Sequence, residues 1–217
     1  MNTVAIIDYG MGNLRSVVKA IEHVAPHARV RLTSDAAEVA SAARVVFPGQ
    51  GAIAGCMAAL DTSHLRAAVL QAVKTKPFLG ICLGLQALYD FSEEGGGVRG
   101  LGVLKGSVPR FPADKMRDAK SGRALKVPHM GWNQVEQAKA HPLWKGIPSG
   151  SRFYFVHSYY AEASERADVA GVTEYGLRFT SAAARANIFA VQFHPEKSAQ
   201  AGLQLLENFM AWDGNAA

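Results

Sequence analysis

Cysteine is scarce in this chain: 217 residues hold two, Cys56 and Cys82. Two thiols cannot staple a chain of this length, and neither lies in the C-x-x-C spacing of zinc or dithiol redox sites. No metal and no cofactor is expected, and a reducing compartment is. No stretch approaches the roughly 18 consecutive apolar residues of a membrane-spanning helix. The apolar run Val4–Ile7 lacks a basic flank and stops at Asp8, so no secretory signal is expected and the expected location is the cytoplasm. Charge is also modest, with 23 Lys+Arg against 18 Asp+Glu. A net +5 is too small to mark a nucleic-acid binder, and it suits an anionic substrate or an acidic partner surface equally well. At 49% hydrophobic residues the chain has ample material for a packed core, which excludes a disordered tail as its main character.

What is present is a regular alternation. Val4–Ile7, Arg29–Leu32, Arg44–Phe47 and Phe78–Ile81 are short strand-like runs stopped by Gly, Pro or polar residues. Asn13 can cap a helix carrying Val17, Val18 and Ile21 on one face, and Ser34 or Asp35 can cap a short Ala-rich helix. Leu60–Lys74 reads as helix, and Leu83–Tyr89 continues as helix directly from Cys82. From Leu101 to Tyr175 short alternating segments suggest antiparallel additions. Ile188–Gln192 reads as a last strand and Leu203–Trp212 as a closing amphipathic helix. Strands spaced by helices imply an α/β fold, with a mainly parallel sheet flanked by helices, in one domain over 1–217. Such sheets bind ligands at the carboxyl ends of their strands.

Three strand ends carry the chemistry. In Gly80-Ile-Cys82-Leu83-Gly84 a buried strand runs straight into a helix, with glycines two residues on either side of the cysteine. Small residues are needed where strand and helix are pushed together, which is the geometry of a nucleophile elbow. A helix start offers free N–H groups, that of Leu83 among them, to a thiolate and to a developing oxyanion. In His194-Pro195-Glu196 the proline favours extended chain, so His194 and Glu196 share a face and can act as base and orienter. The loop Gly49-Gln50-Gly51 can present backbone N–H groups, that of Gln50 as a second oxyanion donor, although a plain tight turn has the same composition. Cys56 reads as packing. The seven cations between Lys105 and Lys126 read first as a solvated excursion and second as a face for an acidic partner or anion.

With these segments in place the chain resembles the class I, triad-type glutamine amidotransferases, through GICLGLQ, PGQGA and QFHPEKS. DYGMGNLRSV, KVPHMGWN and FYFVHSYY narrow the resemblance to the glutaminase subunits of imidazole glycerol phosphate synthases. It implies a flavodoxin-like core and a glutaminase that makes ammonia for a separate (β/α)₈-barrel cyclase, supplied in trans in a heterodimer, in histidine synthesis. It implies Cys82 as nucleophile, His194 as general base and acid, and Glu196 as orienter. Gln86 should contact the bound glutamine, and the backbone of Gly49, Gly51, His157, Ser158 and Tyr159 should border its pocket. Asn13, Trp132, Tyr154 and Lys197 should lie at or near the cyclase interface. Gln50 departs from the pattern, since many relatives are expected to carry a small aliphatic residue there. The competing readings are a glutaminase serving another synthase and a non-catalytic subunit that only docks a partner.

Overall fold

The structure, a computed structural model, describes residues 3–10, 14–114, 116–118 and 121–215. The chain begins with β1 (Thr3–Ile7), α1 (Leu14–Val24), β2 (Arg29–Thr33), α2 (Ala36–Ser41), β3 (Arg44–Gly49), α3 (Ile53–Thr62), α4 (Leu65–Thr75), β4 (Phe78–Cys82) and α5 (Leu83–Gln86). Shorter strands follow: β5 (Phe91–Ser92), β6 (Val98–Arg99) and β7 (Gly106–Val108). Then come β8 (His129–Gln137), β9 (Ser151–His157), β10 (Glu162–Ala163), β11 (Val169–Glu174), β12 (Arg178–Arg185), β13 (Ile188–Val191) and α6 (Ala199–Ala211).

Among the described residues nine strands form one sheet, in the order β2-β1-β3-β4-β13-β12-β11-β8-β9. The half from β2 to β13 is parallel, and the half from β12 to β9 is antiparallel, as the alternating middle of the sequence suggested. Period-two alternation sends neighbouring residues of one strand to opposite sides. Thus Val4 and Ile6 of β1 join a core with Val17 and Ile21 of α1 and Leu205 and Phe209 of α6. Ala5 and Ile7 join a second core with Val39, Ile53, Leu65 and Val69 from α2, α3 and α4. Helices on both faces explain why β4, at the centre, is buried at every position.

Local chemistry sets the helix ends. Of the two candidate caps before α2, Asp35 is the one used, its Oδ1 accepting from the Ala37 N–H at 2.7 Å. Lys76 closes the other end, donating to the carbonyls of Ala40 at 2.6 Å and Ala42 at 2.8 Å. The expected helix over Leu60–Lys74 is two helices instead. Ser63 bonds back to the Ala59 carbonyl at 2.7 Å and His64 takes a left-handed φ of 58°, which breaks the run. The turn after Cys82 is shorter than expected, ending at Gln86, and α6 begins four residues earlier than its apolar pattern implied. Asn13, the expected cap of α1, lies outside the described residues. In the basic stretch, Lys105 pairs with Asp90 at 2.9 Å and Arg117 closes a turn on the Gly122 carbonyl at 3.2 Å, which fits a solvated excursion. Lys115 and Lys120 lie outside the described residues.

His141 is buried beside the rings of Phe189 and Trp212, and its Nδ1 accepts from the Leu143 N–H at 3.2 Å. Burial, reinforced by Lys139, pushes it down to about 4. Unfolding frees it to titrate near 6.5, so the unfolded chain binds the extra proton between those values. Its contribution to stability is therefore complete above about pH 6.5 and is lost as pH falls toward 4, with a slope of up to about 1.4 kcal/mol per pH unit. His141→Asn keeps the capping acceptor but removes the titration. Its urea-unfolding free energy should fall less steeply than the parent's between pH 6.5 and 4.5, and parallel curves would show that His141 is not held neutral.

Candidate active site

Parallel register brings the three strand ends together. Gly49 of β3 is the register partner of Cys82 of β4, and Ile81 is the partner of Val191 of β13. The chains leaving these strands therefore emerge side by side at the carboxyl edge.

Cys82 sits at the elbow with φ 54° and ψ −106°, a conformation that an L-residue adopts only under constraint. The constraint is visible in the glycines. A Cβ on Gly84 would collide with the Phe47 carbonyl oxygen, and one on Gly80 would come within 3.0 Å of both Ala190 and the Gly84 carbonyl. The helix can start directly against β3 only because both lack a side chain. Leu83 begins α5, and a first-turn N–H has no intrahelical acceptor, so it is available to an oxyanion.

His194 leaves β13 in extended conformation, φ −102° and ψ 96°, and Pro195 opens a single 3₁₀ turn that returns Glu196 beneath it. Nδ1 of His194 lies 2.9 Å from Oε1 of Glu196, and each side chain is 2% exposed. The segment is pinned to β9. The His194 N–H donates to the Tyr154 carbonyl at 2.9 Å, and Ser198 Oγ donates to the His194 carbonyl at 2.6 Å while accepting from the Tyr154 N–H at 3.0 Å. Among the described residues no oxygen or nitrogen pairs with His194 Nε2, which is left to Cys82. Burial alone would push this imidazole down. Cys82 first, and then Glu196, outweigh that effect, and the net shift is upward.

These groups open on a cavity of about 520 Å³. Cys82, Leu83 and Gln86 line it from the elbow, and His194 and Lys197 line it from the end of β13. Gln50 and Gly51 border it from the β3 loop, and Tyr154, His157, Ser158 and Tyr159 from β9 and the turn beyond. Glu196 lies behind His194, and with Gly49 it borders a smaller recess. Gly51 has a φ of 91°, which requires glycine. Gly49 serves a different need: Tyr9 Oη, which donates to the Pro48 carbonyl at 3.1 Å, occupies the space a Cβ would take. Trp132 lies outside the cavity, 45% exposed, opposite Tyr154 in the β8–β9 pair with ring centres 6.2 Å apart. Asn13 lies outside the described residues.

Three contributors escaped the sequence reading. Gln192 is fully buried, accepts from Gln86 Nε2 at 3.0 Å and donates to Cys82 Sγ at 3.7 Å. Glu94 brings a carboxylate to the cavity wall, where its Oε2 also accepts from the Ile53 N–H at 2.8 Å. Ser198 is the clamp described above. Only a polar residue placed where a strand meets a loop could have flagged Gln192, and Glu94 had only its glycine-rich surroundings.

Chemically, the arrangement is a thiol at a strained turn, an imidazole oriented by a carboxylate, main-chain donors at a helix start and room for a small polar molecule. That is equipment for acyl transfer through a thioester. Cys56 has none of it: it is fully buried, and burial pushes its thiol up to about 11. At pH 8 only about one Cys56 in a thousand is then ionised. Brief iodoacetamide treatment followed by peptide mapping should find the label on Cys82 and spare Cys56. Equal labelling would remove the distinction between them.

The family model described as glutamine amidotransferase class-I matches residues 5–212. The imidazole glycerol phosphate synthase subunit HisH of Aromatoleum aromaticum is 65% identical over 98% of this chain and 99% of its own length. The protein of the same name from Dechloromonas aromatica is 62% identical over 97% of this chain and 96% of its own. A solved structure titled glutamine amidotransferase superposes with a TM-score of 0.68 at 16% identity, covering 95% of this chain and 98% of that one. A glutamine amidotransferase from Thermotoga maritima gives 0.60 at 19% identity, covering 92% and 78%, and both show a shared fold.

Proposed function

Because the chain belongs to the class I glutamine amidotransferases, and within them to the HisH subunits of imidazole glycerol phosphate synthase, we propose that Cys82, His194 and Glu196 carry its glutaminase reaction. The chain is an enzyme that hydrolyses L-glutamine to glutamate and ammonia for histidine synthesis. The observation that carries the assignment of residues is the meeting, at one cavity, of the strained Cys82 with His194 held by Glu196 at 2.9 Å.

The Cys82 thiolate attacks the side-chain carbonyl carbon of glutamine, and the carbonyl oxygen becomes an oxyanion facing the Leu83 N–H. The His194 imidazolium gives its proton to the departing nitrogen, ammonia leaves, and a γ-glutamyl thioester remains on Cys82. Neutral His194 then takes a proton from water, whose oxygen attacks the thioester. The second tetrahedral intermediate expels the Cys82 thiolate and releases glutamate. Glu196 holds Nδ1, which keeps Nε2 on the reacting side throughout. Glu94 at the cavity wall suits the substrate's α-ammonium group. The Gln50 N–H is the second oxyanion donor. Since Tyr9 holds the Pro48 carbonyl, any peptide rotation that presents or withdraws this donor is confined to the peptides on either side of Gln50.

As a subunit of a synthase the chain has a partner, and the site's surroundings suit a barrel-shaped cyclase docked in a heterodimer over the cavity mouth. Met130 and Trp132 stand exposed on β8 directly opposite Val156 and Tyr154, and Tyr154, Val156 and Lys197 also line the cavity. This apolar strip with one cation beside the mouth would let a partner seal it and receive ammonia before water does. No described helix is long and apolar enough to cross a membrane, and the setting proposed is the cytoplasm. The whole of 1–217 acts as one amidotransferase domain.

Glutaminase assays of the purified chain, with and without the cyclase and its nucleotide ligand, test the reading. His194→Asn should cost about 10²–10⁴-fold in kcat, and Glu196→Gln less. Cys82→Ala should abolish turnover, and mass spectrometry of the parent quenched with acid should find a glutamyl adduct on the Cys82 peptide. Undiminished hydrolysis by Cys82→Ala would sink the assignment. A larger loss for Glu196→Gln than for His194→Asn would reverse the two roles.

A further inference from the structure

A second polar array lies behind the cavity, and the reaction above does not use it. His129 of β8 and His157 of β9 are register partners, 3% and 6% exposed. His129 is sandwiched between the rings of Tyr175, 3.9 Å between centres, and Phe155, 4.8 Å, while Phe111 packs against both imidazoles. Two ionisable rings in an aromatic cage need a reason, since hydrocarbon would fill the space at lower cost.

Their hydrogen bonds assign every proton. His157 Nδ1 lies 2.7 Å from the Tyr159 carbonyl, which can only accept, so Nδ1 carries the hydrogen. His157 Nε2 is 3.0 Å from His129 Nδ1. Burial, reinforced by the neighbouring His129, holds His157 neutral, and burial holds His129 neutral. His157 Nε2 therefore accepts, and His129 donates from Nδ1. His129 Nε2 is left to accept from Asn133 Nδ2 at 3.3 Å, the same amide that donates to the Glu174 carbonyl at 2.9 Å. A proton added to either remaining acceptor, His157 Nε2 or His129 Nε2, would set two donors against each other.

The array ends on the cavity wall. The Tyr159 carbonyl accepts from His157 and also from Gln86 Nε2 at 3.0 Å, while the Tyr160 N–H on the same peptide donates to the Pro109 carbonyl at 3.0 Å. The preceding peptide is tied by the Ser158 carbonyl, which accepts from the Phe111 N–H at 3.0 Å. A planar peptide held by one edge presents its other edge in one direction. From Gln86 the bonds continue to Gln192 and on to Cys82 Sγ.

We propose that His129 is a positioning residue for substrate binding: by donating to His157 it fixes the Tyr159 carbonyl, and with it the main chain that borders the cavity beside Gln86. This rests on the cavity being the glutamine pocket and adds to it a side chain that touches no substrate. An asparagine amide nitrogen falls near the place of an imidazole Nδ1, whereas a glutamine amide reaches only as far as Nε2. His129→Asn should therefore keep the donor to His157, and the equally polar His129→Gln and the apolar His129→Leu should lose it.

The test is steady-state glutaminase kinetics of the full chain with its cyclase. His129→Gln and His129→Leu should raise KM for glutamine about tenfold, the worth of one hydrogen bond, with kcat within about threefold of the parent. His129→Asn should stay within about twofold in both constants. If His129→Leu fails to fold, the Asn and Gln pair still decides. Equal KM for those two, or a loss confined to kcat, would overturn the role. Histidine ¹⁵N spectra of the parent at pH 7 should show both rings as Nδ1–H tautomers, and an Nε2–H or doubly protonated ring would equally overturn it. A parent chain that hydrolyses no glutamine would overturn the glutaminase reading instead, and the spectra would still report on the array.

Discussion

The close approach of α5 to β3 is the constraint on which the rest of the site depends. Gly84 lies so near the Phe47 carbonyl that no side chain fits, and Cys82 must take positive φ to turn from strand to helix in the space left. A non-glycine residue in such a conformation costs on the order of 1–3 kcal/mol. The surroundings sustain it: β4 is buried along its whole length and hydrogen-bonded on both sides to parallel neighbours. Relaxing the turn would pull Leu83 away from the proposed oxyanion position and Cys82 away from His194, so the strain and the proposed chemistry share one origin.

The sheet changes direction beside this point, and that change is used. β4 and β13 belong to the parallel half, whereas β9 comes from the antiparallel half at the far edge of the sheet. The segment from His194 to Ser198 bridges them, clamped to both main-chain groups of Tyr154. Gly202 adds to the fit, since a Cβ there would strike the Pro195 carbonyl. His194 is thus positioned by backbone hydrogen bonds to a strand that itself lines the cavity. The width of the cavity and the placement of the imidazole are set together.

Much of this was legible in the order of residues, because the signals were local. Apolar runs ending in glycine, proline or polar residues marked β1, β3, β4 and β13, and a cysteine between spaced glycines marked the elbow. His194 and Glu196 were readable because proline dictates the chain between them. Other features depend on partners far along the chain. Nothing near His64 announced a left-handed residue between two helices. Gln192 and Glu94 acquire meaning only when the fold brings them to Cys82 and Ile53, 110 and 41 residues away in the chain. The pairing of His129 with His157 is a matter of antiparallel register, which no periodicity within either strand expresses.

The placement of β4 between β3 and β13 also orders events during synthesis of the chain. When Cys82 leaves the ribosome its strand can pair with β3 alone, and the opposite edge stays bare until Ile188–Val191 arrives, with Gln192 following 110 residues after Cys82. At translation rates of about 5–20 residues per second that interval is roughly 5–20 s. Throughout it the nascent chain carries Cys82 without His194, so the proposed nucleophile would wait for its proposed base until the sheet is complete. The same interval leaves a long apolar edge open to wrong pairing, so the arrival of the last strand both completes the proposed site and ends the period most exposed to aggregation.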